Sequence, residues 1–321
     1  MAPKKAQSKD SKSAKGAEEQ QETPAQTSES KNPVEEKPST DAASKKRKAQ
    51  QLADSNKAPR RSARGAAPID TDPVKILQYL LSPSSLDVCR PKDESEDVKN
   101  RPNIRTYSSS SFTPFEELVC ALILSRPIGH MLGVRSIRTI FNAPYELTTP
   151  KKIRELGKEG CREALDNART QHRQKTAEEL VILADAVVDH LGDGEEDVTL
   201  EKVRKECGYD AEKEREMLKK HVKGMGKTGL DIFSRRIQGA WPKFYPFIDE
   251  RTMTAVEMLG LPKSAEGLRD FLNEHWKSLD AKDIEAKDEE EKKRKAFVRI
   301  LERAVGAQLE GNIDSIKAEA A

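Results

Sequence analysis

No run of eighteen apolar residues occurs anywhere in the 321-residue chain, so no segment is expected to span a membrane. No alternating run of β-branched residues lies between turn signals, so strands are not expected. Self-similarity at a period of 20 to 50 residues is also missing, which excludes a solenoid or propeller. Cysteine is sparse. Cys89, Cys120, Cys161 and Cys207 stand far apart, and zinc sites and iron–sulfur clusters need clustered ligands. Reduced thiols in an intracellular protein fit that pattern, with no metal and no cofactor expected. The N-terminus lacks an apolar h-region, so no secretory signal is expected.

Charge is what the chain has in abundance, and it is unevenly spread. The first 70 residues carry 15 Lys/Arg against 10 Asp/Glu, and beyond the initiator their large apolar residues are Val34, Leu52 and Ile69. Such a segment buries too little apolar surface to offset its ordering entropy, so residues 1–70 read as a disordered basic tail. Lys45-Lys46-Arg47-Lys48 and Arg60-Arg61 with Arg64 have the form of a nuclear-import address or a phosphate-binding arm. A nuclear location is expected. The rest of the chain is slightly acidic, so any anion-binding surface on it must be local.

From Pro73 onward the periodicity is helical and the fold class reads as all-α. Ile76, Leu77, Leu80 and Leu81 form one short helix face, and residues 82–111 read as loop. Thr113-Pro114-Phe115-Glu116 combines a capping Thr, a proline at the first helical position and a Glu three residues on. The helix it opens is apolar nearly all round, which predicts a central core helix. Helices follow after Gly129 with Met131, Val134, Ile137 and Ile140, from Pro150 to about Gly157, near Cys161 to Ala168, and over Leu180 to Leu191. Two short charged helices, segments at 250–259 and 266–276, and a last helix from about Ile284 to Leu309, charged on most faces, complete the pattern. The globular domain is expected over 71–312, with 313–321 as a C-terminal tail.

Within this frame HVKGMGKTGLDIF, residues 221–233, stands out. A helix ends near His221 and another begins near Lys227, so the expected hairpin covers 211–238. Gly224 and Gly226 permit positive φ and close backbone approach. The first N–H groups of the second helix, with the positive end of its dipole, suit a phosphate oxygen. Lys219, Lys220, Lys223 and Lys227 surround the turn. Such a contact would not read base sequence. An ordinary glycine turn with solubilising lysines has the same look.

The residues that follow separate these readings. Trp241-Pro242-Lys243-Phe244-Tyr245-Pro246-Phe247-Ile248 leads to Asp249, which opens a helix. With Val222, Gly224-Met225-Gly226 and the core helix 115–124 upstream, the pattern resembles the helix-hairpin-helix GPD superfamily of DNA glycosylases over roughly residues 112–262. The resemblance implies an all-helical, monomeric domain that binds double-stranded DNA and removes a damaged or mismatched base. It assigns phosphate gripping to Val222, Lys223, Gly224, Met225, Gly226, Lys227 and Thr228. It gives the catalytic carboxylate role to Asp249, at the start of the helix from 249. Asp is also a favoured helix N-cap, and the two roles can share one residue.

The departures are informative. Bifunctional members carry a Schiff-base lysine where this chain has Thr228, and threonine cannot form that adduct. A monofunctional enzyme is therefore implied. Leu230 replaces the small residue that usually follows, with Gly229 just before it, and no four-cysteine iron–sulfur loop follows the domain. Some members fill the gap left by the flipped base from the loop after the first core helix; here Arg126 and His130 both lie in that stretch. Trp241, Phe244, Tyr245 and Phe247 are placed either to stack on a flipped base or to plug the core. Arg235 and Arg236 either reach phosphates or face water. An inactive DNA-binding protein or a nuclear scaffold is the alternative to the enzyme.

Overall fold

The computed structural model describes residues 71–321; the basic clusters at 45–48 and 60–64, and the tail that carries them, lie outside the described residues. Asp72 caps α1 (Pro73–Leu81), accepting from the Val74 N–H at 2.9 Å, and Pro73 takes the first helical position. Its face of Ile76, Leu77, Leu80 and Leu81 is fully buried.

The loop expected over 82–111 is in part helical. A 3₁₀ turn at Pro83–Ser85 leads to α2 (Leu86–Cys89) and α3 (Lys92–Asn100). The sequence Lys-Asp-Glu-Ser-Glu-Asp-Val-Lys-Asn has no apolar stripe, so helical periodicity gave no sign of α3. Charge holds it instead: Arg138 donates from Nε to Asp97 at 2.7 Å and from Nη2 to Asp93 at 3.0 Å.

α4 (Pro114–Leu124) starts at the expected capping box. The Glu116 N–H donates to Thr113 Oγ1, and the Thr113 N–H donates to Glu116 Oε2. Every residue from Phe115 to Ile123 is buried, so this is the central helix. α5 (His130–Ile140) and α6 (Pro150–Asn167) follow. The break expected at Gly157 is a kink inside α6, where φ is 67°. α7 (Arg173–Ala186) continues as a π-helical turn over Val187–Leu191 and stops at Gly192. Then come α8 (Glu201–Glu206), α9 (Ala211–His221), α10 (Lys227–Ile237), α11 (Glu250–Met258) and α12 (Ala265–His275). α13 (Glu289–Glu310) and α14 (Ile313–Ala320) close the fold. Among the described residues there are fourteen α-helices and no strand.

Two expectations about the C-terminal part are corrected. α13 begins at Glu289 rather than near Ile284, and it is not charged on most faces. The acid–base run Asp288–Lys295 forms only its opening turns; beyond it Ala296, Phe297, Ile300, Leu301 and Ala304 are fully buried. Phe297, Ile300 and Leu301 each contribute about 1.5–3 kcal/mol. Residues 313–321 are not a free tail, because Ile313 and Ile316 of α14 are buried and pack with α1.

The apolar side chains form two cores. One gathers around α4 from α5, α6, α7, α9 and α10, with Phe115, Phe141 and Phe233 at its centre. The other joins α1 to α11–α14 around Phe297. Arg303 of α13 ties the start of the second core by donating from Nη1 to the Leu80 and Ser82 carbonyls. No helix among the described residues is long and apolar enough to cross a membrane.

Candidate active site

The hairpin forms where the glycines are. Val222 and Met225 are buried and pin the turn, with the Met225 N–H donating to the Val222 carbonyl at 3.1 Å. Gly224 adopts φ +86°, and a Cβ there would lie 2.8 Å from both Arg126 Nη2 and Glu179 Oε1. Those two side chains form a buried ion pair beneath the turn. A side chain at 224 is therefore strained by backbone conformation and would also push aside the ends of the ion pair. Gly226 is different: its φ is −90° and a Cβ would meet nothing within 4 Å. It caps α10 without a side-chain acceptor, so the opening N–H groups of that helix are left for an external partner.

Gly229 supplies the close packing that Leu230 does not. A Cβ at 229 would come 2.4 Å from Met225 Sδ and 3.4 Å from Ser125 Cβ, while Leu230 enters the core. Lys223, Lys227 and Thr228 are exposed. Lys223 Nζ lies 3.2 Å from Glu178 and Lys227 Nζ 3.2 Å from Asp231. These pairs are solvent-screened and easily exchanged for another anion.

Asp249 is the N-cap of α11 and is far more enclosed, its side chain 9% exposed. Oδ1 accepts from the Thr252 N–H at 3.1 Å. Oδ2 accepts from Thr252 Oγ1 and from Arg235 Nη1, both at 2.7 Å. The connection before it is locked by a buried glutamine: Gln238 Oε1 accepts from the Phe247 N–H at 2.9 Å, and its Nε2 donates to the Phe247 carbonyl at 3.0 Å. Burial pushes the Asp249 carboxyl upward, but the Arg235 charge and the Thr252 hydrogen bonds outweigh it and hold it below the ordinary aspartate value.

Arg235 and Arg236 neither face water nor reach the surface. Arg235 also donates from Nε to Glu302 at 2.6 Å, and Arg236 is held by both oxygens of Glu117 at 2.9 Å. Tyr107 lies over the Arg236 guanidinium, 4.3 Å from ring centroid to carbon. α10 turns this face toward α4 and α13, and an arginine that enters such an interior must meet carboxylates there.

A cavity of about 800 Å³ brings these parts together. Its wall includes Lys227 and Thr228 from the hairpin, Asp249 and Arg251 from α11, Tyr107, and Glu302 from α13. Val222, Lys223, Gly224, Met225 and Gly226 shape the hairpin but do not line the cavity. Its size falls in the usual range for a small-molecule or nucleobase pocket. Among the described residues no group of three or more His, Cys, Asp or Glu is placed to hold a metal ion.

The remaining candidates sort by burial. Trp241 and Phe244 pack edge-on around Phe233, with centroids 5.6 and 6.4 Å from its ring. Tyr245 packs on Phe297, and Phe247 lies under Arg215. None of the four lines the cavity; Trp241, Phe244 and Tyr245 pack in the cores, and the aromatic side chain at the cavity is Tyr107. Arg126 is committed to Glu179 under the hairpin. His130 opens α5 at the cavity wall, with Nδ1 2.7 Å from Glu310.

Sequence reading missed Tyr107, Glu117, Glu302 and Gln238. A signal existed for Glu117: an acid inside the apolar run Phe115–Leu124 must face a cation or stay protonated. Glu302, flanked by Leu301 and Ala304, carries the same signal. Nothing in the sequence pairs either with a particular arginine. No protein family, curated protein or solved structure matches this chain in comparison.

Proposed function

We propose that this protein is a monofunctional DNA glycosylase of the helix-hairpin-helix GPD type, acting on double-stranded DNA as a monomer. The observation that carries the reading is the shared cavity: an uncapped helix start with an exposed lysine and a nearly buried, ionised carboxylate line the same space. The α10 N–H groups and Lys227 grip a phosphate. The target nucleotide turns out of the stack into the cavity. As the bond from C1′ to the base nitrogen breaks, positive charge grows on the sugar, and Asp249 stabilises it. Water then adds at C1′, losing a proton to solvent, and the departing base takes up a proton. The carboxyl held below the ordinary value suits electrostatic stabilisation better than proton abstraction, because a weak base remains an anion.

Thr228 occupies the Schiff-base position and cannot attack the sugar, so strands stay intact after base loss. The basic clusters at 45–48 and 60–64 suit a nuclear address, which places the activity with chromosomal DNA. A second reading has one specific observation in its favour. Every Asp249 oxygen is engaged within the protein, and capping α11 alone accounts for the residue, as a DNA-binding protein without catalysis would require.

A panel of end-labelled duplexes carrying uracil, hypoxanthine, alkylated purines, oxidised bases and mismatches separates the two. Breaks that appear only after alkali support the glycosylase and name its lesion class. Breaks without alkali overturn the monofunctional part and implicate an amine such as Lys227. Intact strands throughout, with tight duplex binding, favour the second reading.

A further inference from the structure

Arg235 divides one guanidinium between two carboxylates. Nη1 faces Asp249 Oδ2 at 2.7 Å, and Nε faces Glu302 Oε1 at 2.6 Å. All three side chains are at most 10% exposed, and all three lie on the cavity wall. Arg236 is committed elsewhere: both oxygens of Glu117 hold it at 2.9 Å, and its nearest Glu302 oxygen is 3.7 Å away. That neighbouring pair cancels its own charge, and Tyr107 covers it. On α11 itself the charged neighbours Glu250 and Arg251 are exposed.

The arithmetic of charge gives this arrangement a consequence. Asp249 paired with Arg235 alone would be a neutral pair, presenting only a dipole to a cation in the cavity. Adding Glu302 makes the group a net anion, in surroundings where Coulomb forces are poorly screened. Meanwhile the two contacts to Thr252 and the one to Arg235 leave the Asp249 carboxylate no freedom to rotate.

We propose that Arg235 and Glu302 are positioning residues for Asp249: Arg235 fixes the carboxylate in place, and Glu302 draws off enough of Arg235's charge for the group to stabilise a cation on the sugar. This rests on Asp249 being the working carboxylate. Removing Arg235 exposes the carboxylate to its burial without a partner, whereas removing Glu302 gives Arg235 wholly to Asp249. The two changes therefore move Asp249 in opposite directions, which general loosening of the fold cannot do.

The test is carboxyl-carbon NMR titration of Asp249 in the full chain, for wild type, Arg235→Gln, Arg235→Lys and Glu302→Gln. The expected midpoint rises by about one pH unit or more in Arg235→Gln, partly recovers in Arg235→Lys and falls below wild type in Glu302→Gln. An unchanged midpoint in Arg235→Gln, or a rise in Glu302→Gln, overturns the proposal. If Arg235→Gln does not fold, Glu302→Gln and Arg235→Lys decide. The acid limb of base release, read on whichever duplex is cleaved, should move with the midpoints. Predicted titrations with no base released from any duplex would retire the glycosylase reading and, with it, the catalytic purpose of the triad. Unmoved titrations in an active enzyme would retire the positioning proposal alone.

Discussion

The two walls of the cavity carry charge in opposite ways. On the hairpin wall Lys227 is 80% exposed and loosely paired, and Gly226 leaves the start of α10 uncapped. On the carboxylate wall Asp249 and Glu302 share the buried Arg235, and the buried Glu117–Arg236 pair lies behind them. Exposed charge can change partners at little cost, which suits a surface that must take and release a polyanion. Buried charge cannot, which suits a group that must hold still while chemistry happens beside it. The hairpin side also shows what a missing partner does. Glu214 on α9 is buried like Asp249, but its nearest cation, Arg204, is 3.9 Å away, and burial lifts its carboxyl to about 7. Asp249, with Arg235 at 2.7 Å, moves the other way.

The largest effect should come from the buried wall. Glu117→Gln leaves Arg236 with the Tyr107 carbonyl and, as its nearest carboxylate, only the distant Glu302 oxygen. The cost should be about 3–5 kcal/mol, read as a lower urea midpoint. A loss below about 1 kcal/mol would mean the interior is wetter than its packing indicates.

The glycines of the hairpin come next. Gly224→Ala meets positive φ and the Arg126–Glu179 pair together, and should cost about 1–3 kcal/mol and weaken duplex binding. Gly226→Ala meets open space at φ −90° and should change stability by less than about 1 kcal/mol. Equal effects at the two positions would contradict the turn geometry.

Glu214→Gln tests the unmatched carboxylate through pH. Because its folded value is raised from 4.5 to about 7, the folded chain keeps a proton there that the unfolded chain has released. Stability therefore falls as pH rises through that window, and the penalty is complete above it. The variant should melt a few degrees above wild type at pH 8 and level with it near pH 4. A variant that melts lower at pH 8 would show that Glu214 is matched after all.

The smallest structural effect belongs to the exposed wall. Lys227→Ala should leave stability within about 0.5 kcal/mol. Duplex affinity should drop evenly across sequences, and the salt dependence should lose about one unit of slope. An unchanged slope would remove Lys227 from the phosphate grip.

Much of this division was legible in the sequence, and the limits are physical. Periodicity found α4 and α7 because their buried faces are apolar at helical spacing, whereas α9, which buries Glu214 beside Leu218, read only as a short charged helix. It missed α3, whose helix is held by charge, and it extended the charged character of the opening turns of α13 to the whole helix, although the residues from Ala296 onward enter the core. Asp249 and Thr228 were singled out by the resemblance, and the structure sets both on the cavity wall. Glu302 could not be, since a contact between residues 67 apart in sequence leaves no trace in one chain. Arg235 and Arg236 read as surface residues because their burial depends on partners supplied by α4 and α13.

The most direct test of the central claim is release of free base, identified by mass spectrometry, from chemically damaged duplex DNA incubated with wild type or Asp249→Asn. Asn caps a helix about as well as Asp, so the variant should fold and bind duplex. Wild type should release one base or a small chemical class, and the variant at least about 100-fold less. No base released by wild type from any damaged duplex, with duplex binding intact, would contradict the glycosylase and leave a DNA-binding protein with a carboxylate that serves only its helix.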